Sequence, residues 1–492
     1  MSGIRLLGVV ARREWIEIWR GQGPRLLLGL MLGAVALSSA EGVARYHNSV
    51  AQYEAATERA REEWLGLGWL NPHDAGHRGT FAFKKPSPLS IIERGDLDYQ
   101  GSSVRLETHT RNDSPGRAAA ARSILARSDG AHPGSVMRLL IPLLALIITY
   151  RAFASERQSG TMRLTRASGV GWRTVWAGKA LASLGAVGVG VGVAVATVAV
   201  AVLTTGVPEG ARGSLRGVYA LLVAVLAMYA IGWTLMGLAV SGFARTAKQA
   251  MGLGLVCWIG WAVAVPRIVH SAAYTLHPPP TAWEFWRAVE TGRGDKWSIG
   301  YKGRSNFLAI YDSVQGGLLE SEGVGSTDDL VVDAFGLAIE VTEEEGQQAY
   351  DQSYGAVEDV FDAQERVVRR LAPLSPVTAV RTALAAAAET DRTSHDRFLD
   401  HAEQYRRAVM STLNLDIAYR GREGRTGEST RGMDGAYERG PDFWASVPSY
   451  EPPTPAVRDI SKTLLGSLLS ISMWALLGLI GSVVSARPSW DR

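Results

Sequence analysis

Six long apolar blocks constrain what this 492-residue chain can fold into, because about 20 apolar residues in a row form a helix that crosses a bilayer. Polar stretches separate these blocks, so a composition of 47% hydrophobic and 20% charged residues averages two kinds of sequence. A disordered chain would need lower hydrophobicity and a net charge far from the +3 found here. We therefore predict an all-α membrane protein with a six-helix transmembrane bundle.

The positions of the blocks divide the chain into spans, a short basic loop and two long polar insertions. We predict an amphipathic cytoplasmic helix at 1–24, transmembrane helices at 25–41, 136–153, 180–205, 218–241, 251–269 and 464–485, a cytoplasmic loop at 154–179, and insertions at 42–135 and 270–460. The two insertions are expected to build one α-rich extracytoplasmic domain. Apolar residues at helical spacing predict two core stripes there, namely Val357, Val360, Phe361, Val368 and Leu371, and Phe398, Ala402, Tyr405, Val409 and Leu413.

Basic residues indicate the orientation, because short cytoplasmic loops of membrane proteins carry an excess of arginine and lysine. Four arginines precede the first span and Arg25 begins it, while five basic residues lie between the second and third spans and Arg151 lies at the end of the second. Arg245 and Lys248 follow the fourth span, and Arg487 and Arg492 follow the sixth. These stretches share one side of the membrane if six helices alternate, so we predict that both termini are cytoplasmic.

The first apolar block has an alternative interpretation as a cleavable signal peptide. Its apolar core is short, arginines precede it, and the small residues around Ala34, Ala36 and Ala40 resemble a cleavage site. The charged region ahead of the block is, however, unusually long for a signal peptide. We therefore favour an uncleaved first transmembrane helix.

Residues 4–20 have the pattern of a helix that lies on the membrane surface. Apolar residues recur at helical spacing, with charged residues on the opposite face. Trp15 and Trp19 suit the headgroup region, and Arg12 and Arg13 lie on the basic face. An ordinary soluble helix is the alternative, which the adjacent apolar span disfavours.

The loop at 154–179 combines basic residues with a helix break. Ser159-Gly160-Thr161 predicts the break, with Thr161 as a helix cap. A short charged turn of this kind is well placed to contact a cytoplasmic protein. Membrane anchoring alone would explain the arginines but not the break.

This loop resembles the cytoplasmic signature of ABC-2 type exporter permeases. The resemblance rests on Glu156-Arg-x-x-Gly160-Thr161, followed by Leu164, Ser168 and Gly178-Lys179, although the usual Ser-Pro is Ser168-Gly169 here. It implies a coupling helix that docks on an ATP-binding subunit, and it makes helix 4–20 similar to the family's connecting helix. The implied coupling residues are Glu156, Arg157, Ser159, Gly160, Thr161, Arg163, Leu164 and Lys179.

The polar insertions resemble those of a bacterial subfamily of these permeases that includes relatives of the nitrous-oxide-reductase maturation permease. The resemblance rests on Asn71-Pro-His73, Phe83-Lys-Lys-Pro-Ser-Pro-Leu89, Leu106-Glu-x-His109, Leu374-Ser-Pro376 and Tyr405-Arg406. It implies a location in the bacterial cytoplasmic membrane. It also implies a dimer with a second copy or a related permease, and an extracytoplasmic domain that contacts cargo or an envelope partner.

Catalytic motifs are absent from the sequence, which contains no G-x-x-x-x-G-K-[ST], H-E-x-x-H or G-x-S-x-G. We therefore expect no catalytic residue and no directly bound cofactor, with ATP and Mg²⁺ held by a partner ATPase. The near-neutral charge does not predict a nucleic-acid partner. The alternative function is a membrane-anchored sensor or scaffold whose outer domain binds a ligand without transport.

Three histidines in the first insertion raise the question of a metal site. His73 and His77 are four residues apart, a spacing that suits a metal on a helix, and His109 follows downstream. Pro72 and Gly76 nevertheless favour a turn, so we predict hydrogen-bonded loop histidines and no metal.

Overall fold

The computed structural model describes residues 3–112, 131–206, 209–293, 303–421 and 437–491. It contains eighteen α-helices and a small antiparallel sheet within these ranges. The helices are α1 Gly3–Arg20, α2 Gln22–Leu65, α3 Pro72–Arg78, α4 Leu97–Gln100, α5 Pro133–Thr149, α6 Ala154–Ser159, α7 Thr161–Ala167, α8 Trp172–Leu203, α9 Glu209–Phe243, α10 Ala247–Trp258, α11 Val265–Leu276, α12 Ala282–Arg293, α13 Gly303–Glu322, α14 Ala334–Leu371, α15 Pro376–Ala388, α16 Arg392–Arg420, α17 Pro441–Ser446 and α18 Val457–Asp491. The strands are β1 Thr80–Phe83, β2 Ser103–Glu107 and β3 Thr110–Arg111.

Six helical segments of the described chain are long and apolar enough to cross a membrane. They are α2, α5 with α6, α8, α9, α10 with α11, and α18. This finding confirms the prediction of an all-α membrane protein with six spans.

Helix α2 is far longer than the first predicted span. It continues without a break from Gln22 to Leu65, a length of about 66 Å against a hydrocarbon core of about 30 Å. The helix continues past the predicted boundary at residue 42, because residues 43–64 contain neither a glycine nor a proline that would end it. The first insertion therefore begins as a rigid extension of a transmembrane helix.

Small residues allow the bundle helices to approach closely. Helices α9 and α18 make the most extensive contact, and a Cβ atom at Gly242 would lie within 2.6 Å of Ser485 Cβ. In α8, Gly190 faces Leu28 and Leu144, whereas a side chain at Gly188 would have open space around it. The glycines of α8 thus serve helix packing at some positions only.

The large domain is formed by residues 47–112, 277–293, 303–421 and 437–456. Its core contains Trp64, Trp444 and the second predicted stripe, of which Phe398, Ala402, Val409 and Leu413 are buried. The first stripe is not a core: Phe361 is 37% exposed. An amphipathic pattern predicts a helix, but it does not identify the neighbour that covers the apolar face.

The sheet of the large domain was not anticipated from the sequence. It has the order β1-β2-β3, with Thr80 opposite Leu106 and Glu107 opposite Thr110. Its strands have two to five residues, too few for the alternation of apolar and polar residues to be distinctive.

Helix α15 attaches the large domain to the bundle. It has 13 residues, too few to span a membrane, and it packs against α5, α9 and α18. Ser375 Oγ donates to the carbonyl oxygen of Trp261 at 2.8 Å, and Trp474 Nε1 donates to that of Pro373 at 2.6 Å. The domain and the spans therefore share a continuous apolar core.

A buried charge cluster lies at the same junction. Glu93 Oε1 is 3.0 Å from His132 Nε2, and Glu93 Oε2 accepts a hydrogen bond from Arg138 Nη1 at 3.2 Å. All three side chains are buried, and His132 also accepts from the backbone N–H of Ser135 as the cap of α5. The cluster fixes the loop after β1 to the start of the second span.

Candidate coupling site

A glycine produces the predicted break between α6 and α7. Gly160 has φ +74°, a left-handed conformation that ends α6 and that side chains seldom adopt. The prediction of Thr161 as a cap is wrong, because Gly160 itself occupies the cap position and Thr161 is the first residue of α7. Thr161 Oγ1 lies 2.9 Å from Ser159 Oγ instead.

Helix α8 begins at Trp172, inside the loop predicted at 154–179. Gly171, the residue before the helix, has an extended backbone, and α8 contains no proline that would interrupt it. The connection between the spans is therefore α6, Gly160, α7 and a four-residue turn. Lys179, expected at the membrane edge, lies about two turns inside α8.

Lys179 is the centre of a buried ion cluster that joins three chain segments. Its Nζ lies 2.6 Å from Glu14 Oε2 in α1 and 3.1 Å from Glu156 Oε1 in α6. Arg13 Nη2 lies 3.4 Å from the same Glu156 oxygen. Two cations thus face two carboxylates, and this balance is what makes burial of Lys179, Glu14 and Glu156 tolerable.

Glu14 was not among the residues predicted from the sequence. It lies three residues after Ala11 and four before Ile18, two apolar residues at helical spacing in helix 4–20. The available signal was an acidic residue on the apolar face of the helix, because a carboxylate there seldom stays buried without a cationic partner.

Close contact holds α1 against α8. A Cβ atom at Gly178 would lie 2.6 Å from Val10 Cγ1, so only glycine allows this approach. Trp15 contacts α8 at Gly185 and meets Trp19 edge-to-face at 5.8 Å. Arg12, by contrast, is exposed.

Arg157 holds α6 against the connection between α9 and α10. Its guanidinium donates to the carbonyl oxygens of Gly242, at 2.6 Å, and Ala244. A cation here also suits the carbonyl end of α9. Ser241 Oγ accepts from the backbone N–H of Phe153 at 3.0 Å, so the start of α6 is fixed to the same place.

Helix α7 has a solvent-exposed surface that faces away from the bundle. Met162 is buried against the bundle, whereas Leu164 is 72% exposed and Arg163 is exposed beside it. The predicted coupling residues therefore divide into three groups. The first group fixes the segment to the bundle and contains Glu156, Arg157 and Lys179. The second forms the bend and contains Ser159, Gly160 and Thr161. The third is the solvent-exposed surface of α7, with Arg163 and Leu164.

A second polar centre lies in the large domain, where the three histidines come together. The predicted turn at residues 73–77 is wrong: Pro72–Arg78 is helix α3. Asn71 caps this helix by accepting from the backbone N–H of His73 at 2.8 Å, and Pro72 stands where its missing N–H costs nothing. His73 Nε2 and His77 Nε2 consequently lie 3.2 Å apart.

His109 joins these histidines from the turn between β2 and β3. Its Nδ1 lies 3.0 Å from Glu343 Oε2, and its backbone N–H donates to the same oxygen at 2.8 Å. Glu343 in turn pairs with Arg406, which is 1% exposed. Burial alone would raise the pKa of Glu343, but His109 and Arg406 hold that pKa well below its usual range. Burial, with His109 and His77, lowers the pKa of His73 to about 3.

Comparison with known proteins identified one family. The family described as ABC-2 family transporter protein matches residues 9–415, more than four-fifths of the chain. No curated protein gave a significant match.

Proposed function

The chain belongs to the ABC-2 family of transporter proteins, and we propose that it is the membrane-spanning subunit of an ATP-driven exporter whose ATP is hydrolysed by a separate subunit. Membership makes the chain a membrane permease. The coupling role of α6 and α7 is the further step. The buried cluster of Lys179 with Glu14 and Glu156 carries this proposal, because it links the loop mechanically to the spans.

The proposed path of force begins at the solvent-exposed surface of α7. The ATPase subunit contacts Leu164 and Arg163, and Gly160 passes the displacement to α6. From α6, Glu156 carries it to α1 and α8 through Lys179. Arg157 carries it to the end of α9 through its two carbonyl contacts. Three helices thus respond to one surface.

The path continues into the large domain. Helix α9 packs along α18, and both contact α15. A rigid-body shift of the spans therefore moves the domain. In hinge and shear transitions, packed helices slide past one another in this way and carry attached domains with them. We place this domain outside the cytoplasmic membrane and both termini inside, in agreement with the basic loops. The nitrous-oxide-reductase maturation permeases are the subfamily that its motifs favour.

A second permease subunit completes the proposed complex. The segment of α10 and α11 is the least buried of the six candidate spans. Val256, Ile259 and Ile268 are more than half exposed along it. A second copy or a related permease is expected to cover part of this face.

Co-purification tests the proposal. The chain is expressed with a candidate ABC ATPase from the same organism, extracted in mild detergent, and analysed for subunit stoichiometry and ATP hydrolysis. We expect one ATPase per permease and hydrolysis that depends on the permease. A chain that purifies without an ATPase, and whose large domain alone mediates its interactions, would instead indicate a membrane-anchored sensor or scaffold.

A further inference from the structure

We propose that His73, His77 and His109 bind a divalent transition-metal ion, with Zn²⁺ as the reference ion. One ligand atom from each of the three imidazoles lies within 4.8 Å of the other two. Imidazole nitrogen is a ligand that Zn²⁺, Cu²⁺ and Ni²⁺ share. The inference goes beyond the transport function, since coupling at α6 and α7 does not require it.

The spacing of the two α3 imidazoles suits tetrahedral coordination. Residues four apart share a helix face, and the two Nε2 atoms lie 3.2 Å apart. Two nitrogens that each lie 2.0–2.1 Å from a tetrahedral zinc ion are about 3.3 Å apart. The ion would therefore enter between them with little movement of α3.

The third imidazole is held in position from behind. Glu343 lies 3.0 Å from His109 Nδ1, which leaves Nε2 of His109 as the ligand atom. A carboxylate behind a metal-ligating histidine fixes the ring orientation and its tautomer. Arg406, bonded to the other oxygen of Glu343, keeps that carboxylate in place.

The backbone of His109 supports the same interpretation. It has φ +61°, one of two non-glycine residues in the described chain with a left-handed conformation. Such a conformation is unfavourable for a residue with a side chain, so it persists only where the surroundings impose it. Here Glu343 accepts from the backbone N–H of His109, and this bond aims the imidazole at α3.

Three histidines leave a fourth coordination position open. Glu107 is engaged by Arg105 at 3.0 Å and by Asn112 at 2.9 Å, so it stays outside the ligand set. His77 is exposed, which puts the open position toward solvent. Zinc sites with three protein ligands bind water or an exchangeable group there.

Metal titration of the full-length chain tests the site. The protein carries a purification tag without histidine, is stripped with a chelator in detergent, and is titrated with ZnCl₂ and with CoCl₂. We expect one Zn²⁺ per chain and a visible absorption spectrum of tetrahedral Co²⁺. Because α3 and the β2–β3 turn supply the ligands, Zn²⁺ should also raise the unfolding temperature.

Two variants and a control make the result specific. His77→Ala, at an exposed position, should keep the fold of the metal-free protein and lower Zn²⁺ affinity at least tenfold, as should His109→Ala. His47→Ala, at an exposed position of α2, should bind like the wild type. The site is refuted if the stripped wild type takes up no Zn²⁺ at micromolar concentration, or if His77→Ala retains wild-type affinity.

Discussion

Lys179 Nζ lies 2.6 Å from Glu14 Oε2, so a residue of the third span is ion-paired with the N-terminal helix. The two are 165 positions apart in sequence and both are buried. This contact makes α1 part of the transmembrane bundle at the end where α6 and α7 lie. The ion pair therefore holds α1 against the spans.

Lys179→Met should destabilise the protein by about 3–5 kcal/mol, because it leaves Glu14 and Glu156 buried without their shared cation. The measurement is thermal or denaturant unfolding of the purified chain in detergent. Lys248→Met, at an exposed position, is the matched control and should be neutral. Adding Glu14→Gln to Lys179→Met should recover part of the loss, since Glu156 retains Arg13. Equal stability of Lys179→Met and wild type would contradict the importance of the cluster.

Gly178→Ala should cost about 1–3 kcal/mol, because its Cβ atom would lie 2.6 Å from Val10 Cγ1 and force α1 away from α8. Unfolding temperature in detergent reports the effect. Gly188→Ala in the same helix has open space and should not lower the unfolding temperature. Combining Gly178→Ala with Val10→Ala should restore stability. If the double variant is no better than Gly178→Ala, the contact with Val10 is not the cause.

Leu164→Asp should weaken binding of the ATPase subunit about 10- to 100-fold, because burying a leucine at an interface contributes about 1.5–3 kcal/mol. The fold should be unaffected, since Leu164 is 72% exposed. Affinity is measured by titrating the purified ATPase against the permease in nanodiscs. Val331→Asp, a 77% exposed apolar position in the large domain, is the control and should bind normally. Normal ATPase binding by Leu164→Asp would exclude α7 as the docking surface.

Glu93→Gln should destabilise the junction of domain and bundle by about 3–5 kcal/mol at pH 7, because Arg138 would remain buried without its carboxylate. Burial alone would raise the pKa of Glu93, but His132 and Arg138 hold that pKa below its usual range. Its stabilising effect is therefore complete above the unfolded pKa of about 4.3, and it is lost as pH falls through the lower folded value.

Unfolding temperatures between pH 6 and pH 3 test this dependence. The wild type should lose more stability on acidification than Glu93→Gln, which lacks the titrating group. Glu320→Gln, at an exposed position of α13, should follow the wild type. Parallel pH curves for wild type and Glu93→Gln would show that Glu93 does not carry the acid sensitivity.

Local patterns were enough to predict several elements of this protein. The six spans follow from runs of apolar residues, and α1 and the second core stripe follow from helical periodicity. The break at Gly160 follows from the conformational freedom of glycine. Each of these depends on neighbours within a few turns of one helix, where spacing and residue type are sufficient.

Other features depend on which segments meet. Helix α3 forms where a turn was predicted, because Asn71 caps it and Thr108 and Met410 pack closely against the helix at Gly76. The first apolar stripe stays partly exposed, since periodicity does not specify a covering partner.

The residue pattern along the chain was sufficient to predict six membrane-crossing helices and the position of the bend that interrupts one connecting loop. The pairing of Glu14 with Lys179, and the approach of His109 to His73, His77 and Glu343, arise from the packing of distant segments. The physical reason is the range of the interactions: hydrophobic periodicity acts along one helix, whereas an ion pair or a histidine cluster depends on how distant segments pack.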